Sequence, residues 1–282
     1  MQAQPDVQSL HRLAELLRIA AREEILPRFR RTEASSKADG SLVTEADYAV
    51  QRRIADACAE HFPGIPMLGE EMTAAEQASL IGDGRGDFWC LDPLDGTSNF
   101  TCGFPGFSIS LALVREGRAE LGVILDPIRN QCFTAARGHG AHLDGKPIGP
   151  YAPNDDLADC LAMIDFKRLP SARIPGLLAP GAFRSQRNLG SVALEWCWLA
   201  AGRFQLYLHG GQNLWDHVAG RLIAHEAGVP SALFAQDGSE PIDTIGLDKR
   251  LAVAAANASL YEQWLEFVDL PMLVRGKSGS GR

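Results

Sequence analysis

The segment from Trp89 to Phe100, WCLDPLDGTSNF, constrains the fold of this 282-residue chain more than any other. An apolar strand ends in two aspartates, Asp92 and Asp95, and the Pro93-Leu94 pair between them predicts an irregular turn. Such a turn can aim both carboxylates and the Leu94 carbonyl at one point. Hard divalent cations prefer oxygen ligands of this mixed kind, so the segment indicates a metal site at the end of a strand.

Gly96 and Thr97 extend this loop. If these residues begin a helix, their backbone N–H groups face an anion directly. One loop could then hold both a metal ion and a phosphate group. The alternative interpretation is an ordinary Asp-Gly turn, in which Asp92 is a solvated loop residue.

Three further acidic residues lie at predicted element boundaries. Glu70 follows a short strand, Asp47 lies in the first turn of a helix, and Asp216 begins another helix. Each has a structural explanation of its own: a solvated turn, a capping box with Thr44, and a helix N-cap. Ligand sites of α/β folds, however, lie where strands end and helices begin. The combination therefore predicts a carboxylate cluster suited to a two-metal centre.

Hydrophobic periodicity and turn residues divide the chain into two halves. Residues 1–150 are expected to form an α+β half that carries most of the metal ligands. Its predicted helices cover 7–29 and 42–64. Its predicted strands cover 65–68 and 88–91, then two within 106–126 that turn at Glu116-Gly117, and several short ones within 131–148.

A cluster of Pro, Asn and Asp at 149–156 predicts the boundary between the halves. Beyond it, predicted strands at 160–166 and 203–208 alternate with predicted helices at 191–202 and 215–228. This alternation is typical of α/β structure. Residues 151–282 are therefore expected to form an α/β half that carries Asp216 and the residues that select the substrate.

The composition narrows the range of functions. The formal net charge of -8 gives no counterion-release advantage on nucleic acid, so a polynucleotide partner is not expected. The six cysteines form no CxxC pair, and their wide spacing is typical of reduced thiols in a cytoplasmic protein. We find no signal-peptide pattern, no apolar run long enough for a membrane span, and no P-loop motif for nucleotide phosphates.

Four strings, taken in order, resemble the motifs of the inositol monophosphatase family. They are SLVTEAD (41–47) with Lys37 upstream, GEE (69–71), DPLDGTSNF (92–100) and WDHVAG (215–220), and the match extends over about residues 7 to 260. The resemblance implies a layered αβαβα sandwich, normally a homodimer. It also implies hydrolysis of small phosphate monoesters that depends on two or three Mg²⁺ ions and is inhibited by lithium.

The resemblance further implies a role for each matching residue. The metal ligands would be Glu70, Asp92, Asp95, Asp216 and the Leu94 carbonyl. Asp47 and Thr97 would orient the attacking water with help from Glu70, and the Gly96 and Thr97 amides would hold the phosphate. Phosphoryl transfer depends on charge neutralisation and alignment, which metal ions held by carboxylates supply.

Two positions depart from the family pattern. His209 stands where the family often has a glutamate that contacts inositol hydroxyls, and a histidine cannot replace a carboxylate as acceptor for two vicinal hydroxyls. This moves our expectation from inositol phosphate toward histidinol phosphate, both of which the wider family hydrolyses. The alternative interpretation of His209 is a loop histidine that contacts no ligand. Cys102 stands where many members have histidine or arginine, and a thiol at this position is inert when buried.

Other residues are candidates for substrate selection. Glu195 lies in a helix that the family places beside the substrate pocket, where it could bind a hydroxyl or amine, or face solvent. Arg187, with Lys167 and Arg168, could bind a second negative group or be solvated surface. The leading hypothesis is a monophosphatase for a small polyol or amino-alcohol phosphate. The alternatives are a sugar or nucleotide bisphosphate phosphatase, and a non-catalytic regulator that binds the transcription machinery.

Overall fold

The computed structural model describes residues 6–31, 35–36, 42–82 and 86–271. Lys37 and Ser41, which belong to the N-terminal motif, lie outside the described residues. The helices in these ranges are α1 Ser9–Ala20 (continued by a π-helical turn, Ala21–Ile25), α2 Glu45–His61, α3 Ala74–Ile81, α4 Thr97–Thr101, α5 Ile174–Leu177, α6 Val192–Ala200, α7 Leu214–Glu226 and α8 Ala258–Val268. Short 3-10 turns lie at Leu157–Asp159, Phe166–Arg168 and Ser171–Arg173.

The strands form a short two-stranded ribbon and two large sheets. The ribbon consists of β1 Ser35–Ser36 and β2 Leu42–Val43. The first large sheet contains β3 Met67–Gly69, β4 Phe88–Asp95, β5 Ser108–Arg115, β6 Arg118–Asp126, β7 Gln131–Ala136, β8 Ala141–Leu143 and β9 Lys146–Pro147. The second contains β10 Leu161–Asp165, β11 Ser185–Arg187, β12 Leu206–Gln212, β13 Ser231–Ala235 and β14 Arg250–Ala255.

Five layers stack in the order helix, sheet, helix, sheet, helix. The helices α1 and α2 pack on one face of the first sheet, whose strand order is β3-β4-β5-β6-β7-β8-β9. The helices α6 and α7 lie between this sheet and the second, whose order is β11-β10-β12-β14-β13. The last layer is α8, which covers the outer face of the second sheet. This arrangement confirms the predicted αβαβα sandwich.

Both large sheets are buried on both faces. In β5, Leu111 packs in the core beneath α1 and α2, whereas its neighbour Ala112 packs in the core around α6 and α7. In β14, Val253 packs in the core beneath α8, and Ala254 packs in the middle layer. Since alternate residues of a strand face opposite sides, both sets of residues must be apolar. This explains why these strands are continuous apolar runs in the sequence.

The structure changes several predicted boundaries. The first helical segment ends at Ile25 rather than at residue 29, and β4 extends to Asp95 rather than ending at residue 91. The turn at Glu116-Gly117 is confirmed, with both residues at positive φ. The elements α3, β11, β13, β14 and α8 are additions that the predicted pattern lacks. The second sheet is mixed, because β14 runs antiparallel to both β12 and β13.

The six cysteines differ in their exposure to solvent. All six cysteines are free thiols, and five of them are buried. Cys102 is exposed, so inertness through burial does not apply to it.

Within the ranges described above, no helix combines the length and the apolar character that crossing a bilayer requires.

Candidate metal centre

A β-bulge in β4 places the two aspartates of the DPLD run on the same face of the sheet. Asp92 pairs with Ser110 of β5 and Asp95 pairs with Ser108, so three steps along β4 match two steps along β5. In a regular strand, residues three apart face opposite sides, but the extra residue of a bulge restores a common face. Leu94 N donates a hydrogen bond to Asp92 Oδ1 at 3.0 Å within this segment. The predicted irregular turn is therefore a bulge within the strand and not a loop beyond it.

Glu70 reaches the same edge of the sheet because β3 and β4 are parallel neighbours. Gly69 pairs with Leu91, so the next residues along the two strands are Glu70 and Asp92. The carboxyl ends of parallel strands meet at one edge, which is where α/β folds place their ligands. The register therefore brings the GEE and DPLD motifs side by side.

Asp216 enters the site from the start of α7. Asn213 caps this helix, and Asp216 Oδ2 accepts a hydrogen bond from Asn213 N at 2.7 Å. Ser110, the sheet partner of Asp92, donates to the Trp215 carbonyl at 3.3 Å. The start of α7 is therefore fixed against the strand next to the bulge. The interpretation of Asp216 as the N-cap itself is wrong, since Asn213 takes that position.

The carboxylates of Glu70, Asp92, Asp95 and Asp216 are close enough to repel one another. Burial raises the pKa of Asp92 well above its usual value, and the charges of the other three raise it further. Burial also raises the pKa of Asp216, and Asp95 and Glu70 add to the rise. Acidic groups from three separate chain segments thus meet at one place. A bound cation would remove their repulsion.

Asp95 is oriented by the N-terminus of α6. Its carboxylate accepts hydrogen bonds from Ser108 Oγ at 3.2 Å, from Ser191 Oγ, from Val192 N at 3.1 Å and from Ala193 N at 2.9 Å. Burial raises the pKa of Asp95 to about 6, and these hydrogen bonds oppose the rise. Among the described residues, Val192 N is the only hydrogen-bond donor to Oδ1, so this oxygen still has a lone pair that can bind a ligand.

The donor set matches a divalent cation such as Mg²⁺ in chemistry and in charge. Carboxylate and carbonyl oxygens are the ligands that hard cations prefer, and several buried acidic groups need a compensating charge. In the part of the chain that the structure describes, no three His, Cys, Asp or Glu side chains are arranged to hold an ion as they stand. The raised pKa values do not conflict with this finding. Two carboxylates repel each other at separations longer than those between ligands that share one bound ion.

Gly96 and Thr97 begin a short helix directly after the bulge, which is the condition that the predicted phosphate site required. Gly96 is the N-cap of α4 and has a φ of 94°. A Cβ on residue 96 would lie 2.9 Å from the Gly106 carbonyl oxygen, so the position requires glycine. The amides at the start of a helix have no partner within it. Thr97 Oγ1 donates to the Leu94 carbonyl at 3.1 Å, which joins the helix start to the predicted carbonyl ligand.

Asp47 is fully buried in the first turn of α2. Its Oδ2 accepts hydrogen bonds from Thr44 N and from Thr44 Oγ1, both at 2.7 Å. Thr44 Oγ1 in turn accepts from Ala46 N at 3.1 Å. The predicted capping box is therefore confirmed. The role of Asp47 in orienting a water molecule stays a prediction.

Glu195 supports the loop that leads into α6. Its Oε1 accepts hydrogen bonds from Leu189 N and Gly190 N, both at 3.1 Å, and Tyr207 OH donates to its Oε2 at 3.1 Å. Burial raises the pKa of this carboxyl to about 7. These contacts hold the helix start that orients Asp95. They do not support the predicted contact between Glu195 and a substrate hydroxyl or amine.

His209 lies in β12 with 2% of its surface exposed, and both ring nitrogens contact protein groups. Nε2 lies 3.3 Å from Asp165 Oδ2, and Nδ1 accepts a hydrogen bond from Gly211 N at 3.3 Å. Arg168 pairs with the same Asp165 carboxylate. Burial lowers the pKa of His209, although Asp165 opposes this effect. The geometry does not support the predicted contact between His209 and a substrate.

The three basic candidates, Lys167, Arg168 and Arg187, are all exposed. Arg168 pairs with Asp165, and its charge has the smallest effect of those acting on Asp216, whose pKa burial raises. Arg187 is exposed on the edge strand β11, where its guanidinium donates to Ser185 Oγ at 2.6 Å and to the Gln186 carbonyl at 2.8 Å.

Several residues that build the site carry no motif signal. Gln77 of α3 donates to the Gly69 carbonyl at 2.9 Å, and Gln51 of α2 accepts from Glu71 N at 3.2 Å. These contacts fix the loop after β3. Ser191 is a partial exception, because a serine directly before a predicted helix indicates an N-cap. In the structure its hydroxyl caps nothing and binds the carboxylate of β4 instead.

Comparison with known proteins gives a consistent result. The family model described as inositol monophosphatase family matches residues 6–267. Inositol monophosphatase 1 of Solanum lycopersicum is 36% identical over 249 residues, which is 83% of this chain and 85% of the relative. Nus factor SuhB of Pasteurella multocida is 36% identical over 201 residues, 70% of this chain and 73% of the relative. A solved IMPase of Thermotoga maritima has a TM-score of 0.77 at 28% identity and covers 93% of this chain and 97% of its own. The chain therefore belongs to the inositol monophosphatase family of phosphatases.

Proposed function

We propose that this phosphatase removes the phosphate group of a small alcohol phosphate in a reaction that depends on Mg²⁺. The observation that carries the proposal is the meeting of Glu70, Asp92, Asp95 and Asp216 beside the start of α4. Acidic ligands next to a helix start can bind a metal ion and a phosphate group together. The relatives named as inositol monophosphatases support this class of substrate.

In this proposal, the four carboxylates and the Leu94 carbonyl hold two or three Mg²⁺ ions. When bound, the ions supply positive charge to the phosphate group and acidify the attacking water. The Gly96 and Thr97 amides donate hydrogen bonds to phosphate oxygens, and the fixed backbone at Gly96 aims them before the substrate arrives. Asp47 and the Thr97 hydroxyl orient the water for attack in line with the leaving alcohol, with Glu70 assisting.

The surroundings of the cluster support a substrate other than inositol phosphate. His209 replaces the glutamate of the family pattern and is turned toward Asp165, so this position offers no carboxylate to vicinal hydroxyls. Arg168 is the basic candidate whose charge acts on Asp216, although its guanidinium already pairs with Asp165. Because no carboxylate stands at position 209 to accept from vicinal hydroxyls, histidinol phosphate is our first candidate and inositol phosphate our second. The bisphosphate of a sugar or nucleotide is the alternative that Arg168 favours.

Phosphate release should be measured from inositol 1-phosphate, histidinol phosphate, fructose 1,6-bisphosphate and adenosine 3′,5′-bisphosphate, with Mg²⁺ and with EDTA. The test variant is Asp95→Asn, and the matched control is Asp56→Asn, which changes an exposed carboxylate on α2. We expect Mg²⁺-dependent turnover of one ester by the wild type and the control, and its loss in Asp95→Asn. Full turnover in EDTA contradicts the metal dependence, and equal weak turnover of every ester contradicts a dedicated substrate.

The relatives named Nus factor SuhB favour a second function. In this alternative, the chain is a regulator that binds the transcription machinery, with or without catalysis. Complementation of a strain that lacks the chain separates the two. If Asp95→Asn loses phosphatase activity but still restores growth, regulation is the better account. If it does not restore growth, catalysis is the better account.

We also propose a cytoplasmic homodimer, as the family resemblance implies, and sedimentation analysis tests the dimer.

A further inference from the structure

A β-bulge also lies in β12, directly before the start of α7. Tyr207 pairs with Ala254 of β14 and Gln212 pairs with Arg250, so five steps along β12 match four steps along β14. Residues five apart in a regular strand face opposite sides, but the extra residue of a bulge restores a common face. Tyr207 packs in the middle layer between the two large sheets. The bulge therefore directs the side chain of Gln212 into the same layer.

Tyr207 and Gln212 belong to a buried hydrogen-bond network that also contains Trp196 and Glu195 of α6. Trp196 Nε1 donates to Gln212 Oε1 at 3.1 Å, and Gln212 Nε2 donates to the Tyr207 hydroxyl at 2.8 Å. The Tyr207 hydroxyl in turn donates to Glu195 Oε2 at 3.1 Å. Because an indole nitrogen can only donate, it fixes the orientation of the Gln212 amide and, through it, the direction of each further bond. All four residues are at most 2% exposed.

This network connects the two helix starts that donate to proposed metal ligands. At one end, Glu195 accepts from two amides of the loop before α6, and the first amides of α6 donate to Asp95. At the other end, Gln212 is the last residue of β12. The next residue, Asn213, caps α7 and donates from its N–H to Asp216. A movement of one helix start against the other would therefore change the relative orientation of the Asp95 and Asp216 carboxylates.

We propose that Tyr207 and Gln212 are positioning residues, which hold the starts of α6 and α7 in one arrangement so that Asp95 and Asp216 can bind the same set of metal ions. This inference rests on the proposed function, because it takes the two carboxylates as metal ligands. The network is buried and each of its bonds joins a donor to an acceptor, so it favours a single arrangement. Removing partners of this kind lowers metal affinity about 10–100-fold.

The test variant is Tyr207→Phe, which removes the hydroxyl that joins Gln212 to Glu195 and keeps the aromatic ring in the core. The matched control is Tyr261→Phe, which removes a hydroxyl from α8, on the outer face of the second sheet. Gln212→Met is a second test variant, because it interrupts the same network with a side chain of similar length.

The first measurement is hydrogen–deuterium exchange of the full chain in EDTA, which requires neither metal nor substrate. In Tyr207→Phe we expect the two amides that donate to Glu195, and the Asn213 amide, to exchange about tenfold faster than in the control, the effect of one lost hydrogen bond. The amides of α8 should exchange at the same rate in both variants. A general loss of stability would raise exchange in α8 by the same factor, and that result overturns the proposal.

The second measurement is the Mg²⁺ dependence of ester hydrolysis. Tyr207→Phe should raise the Mg²⁺ concentration that gives the half-maximal rate about tenfold, while KM for the ester at saturating Mg²⁺ stays within about twofold of the control. Because Gln212→Met interrupts the same network, the double variant should require no more Mg²⁺ than Tyr207→Phe alone. Faster exchange with an unchanged Mg²⁺ requirement would mean that the network stabilises the fold without positioning the ligands, and it overturns the proposal.

Failure of the proposed function has a different signature. It shows in the wild type, as hydrolysis of no ester at any Mg²⁺ concentration, and it leaves the exchange measurement intact. Equal exchange in Tyr207→Phe and Tyr261→Phe, both at the amides that donate to Glu195 and at Asn213, overturns the inference whether or not the wild type is active.

Discussion

Ser191 Oγ donates a hydrogen bond to Asp95 Oδ2, and this contact joins the bulge of β4 to the start of α6. Val192 N and Ala193 N donate to the same carboxylate, so a helix in the middle layer fixes the orientation of a proposed metal ligand in the first sheet. Partners of this kind set both the direction and the basicity of a ligand. The site therefore depends on correct packing between segments that are far apart in sequence.

The first prediction concerns Ser191→Ala. Removing the hydroxyl frees Asp95 Oδ2 from one of its donors, so we expect Mg²⁺ affinity and kcat/KM to fall about tenfold. The free energy of unfolding should fall by only about 1 kcal/mol, because the remaining donors stay in place. Mg²⁺ titrations of phosphatase activity measure the first effect and urea unfolding the second. Ser259→Ala, an exposed change on α8, is the control, and a kcat/KM equal to the control would contradict the positioning role.

The second prediction concerns Gly96→Ala. The residue has a φ of 94°, and its Cβ would lie 2.9 Å from the Gly106 carbonyl oxygen, so alanine must displace the start of α4. We expect activity to fall at least about a hundredfold, as when an oxyanion donor is lost. Gly138→Ala is a matched control, because its φ is 76° but a Cβ there meets nothing within 4 Å. It should cost about 1 kcal/mol of stability and no activity. Equal activity in the two variants contradicts a phosphate role for residue 96.

The residues of the carboxylate cluster were predictable from sequence, whereas the contacts that orient them were not. Asp92, Asp95, Gly96 and Thr97 lie in one segment whose turn residues act on their nearest neighbours. Their common face depends on a bulge, which exists only through the pairing of β4 with β5. The contact with Ser191 depends on the packing of a third element. Sequence patterns report local preferences and do not specify which residues pair across neighbouring strands.

The same distinction explains which strands the sequence patterns missed and why they did not show the surroundings of His209. The strand β14 has the sequence RLAVAA, whose small residues do not separate strand from helix by periodicity. His209 is a polar residue in a predicted substrate position, but its partner Asp165 lies on a neighbouring strand. Only tertiary structure shows that the pair is buried together.

The third prediction concerns Asp216→Asn. Burial and neighbouring charges raise the pKa of Asp216 above its unfolded value. The associated stability is thus full below the unfolded pKa and is lost as pH rises through the folded one. At about pH 8 the metal-free variant should melt a few degrees above the wild type, since about 1 kcal/mol shifts Tm by 2–4 °C in chains of this size.

Asp216→Asn should also lose phosphatase activity and the rise in Tm that Mg²⁺ produces in the wild type. Asp56→Asn is the control, because it removes an exposed carboxylate on α2 and should change none of these quantities. Thermal unfolding with Mg²⁺ and with EDTA provides the comparison. A variant that is less stable than the wild type in EDTA at high pH would falsify the repulsion argument.

The fourth prediction concerns His209. Since its ring nitrogens contact Asp165 and Gly211, His209→Gln should lower stability and leave KM within about twofold of the wild type. His209→Glu should be worse, because it buries a second carboxylate beside Asp165 and costs about 2–3 kcal/mol. Urea unfolding and steady-state kinetics on the best ester measure both effects. A tenfold rise in KM for His209→Gln with unchanged stability would restore His209 as a substrate contact.

The last prediction concerns the pH dependence that Glu195 gives to the fold. Burial raises its pKa from the ordinary 4.5 to about 7. The stability that this group contributes is therefore fully present below pH 4.5 and is lost as pH rises through about 7. Glutamine has no charge to bury, and its oxygen can still accept from Leu189 N and Gly190 N.

Glu195→Gln should consequently become more stable than the wild type as pH rises from about 6 to about 8.5, by on the order of 2 kcal/mol at the upper end. Thermal unfolding of both proteins in EDTA across this range measures the difference. Glu262→Gln, an exposed change on α8, should follow the wild type at every pH. Parallel curves for the wild type and Glu195→Gln would mean that the carboxyl is ionised throughout this range. A charged carboxylate would then hold the loop before α6, and the hydrogen bonds from the start of α6 to Asp95 would not depend on pH.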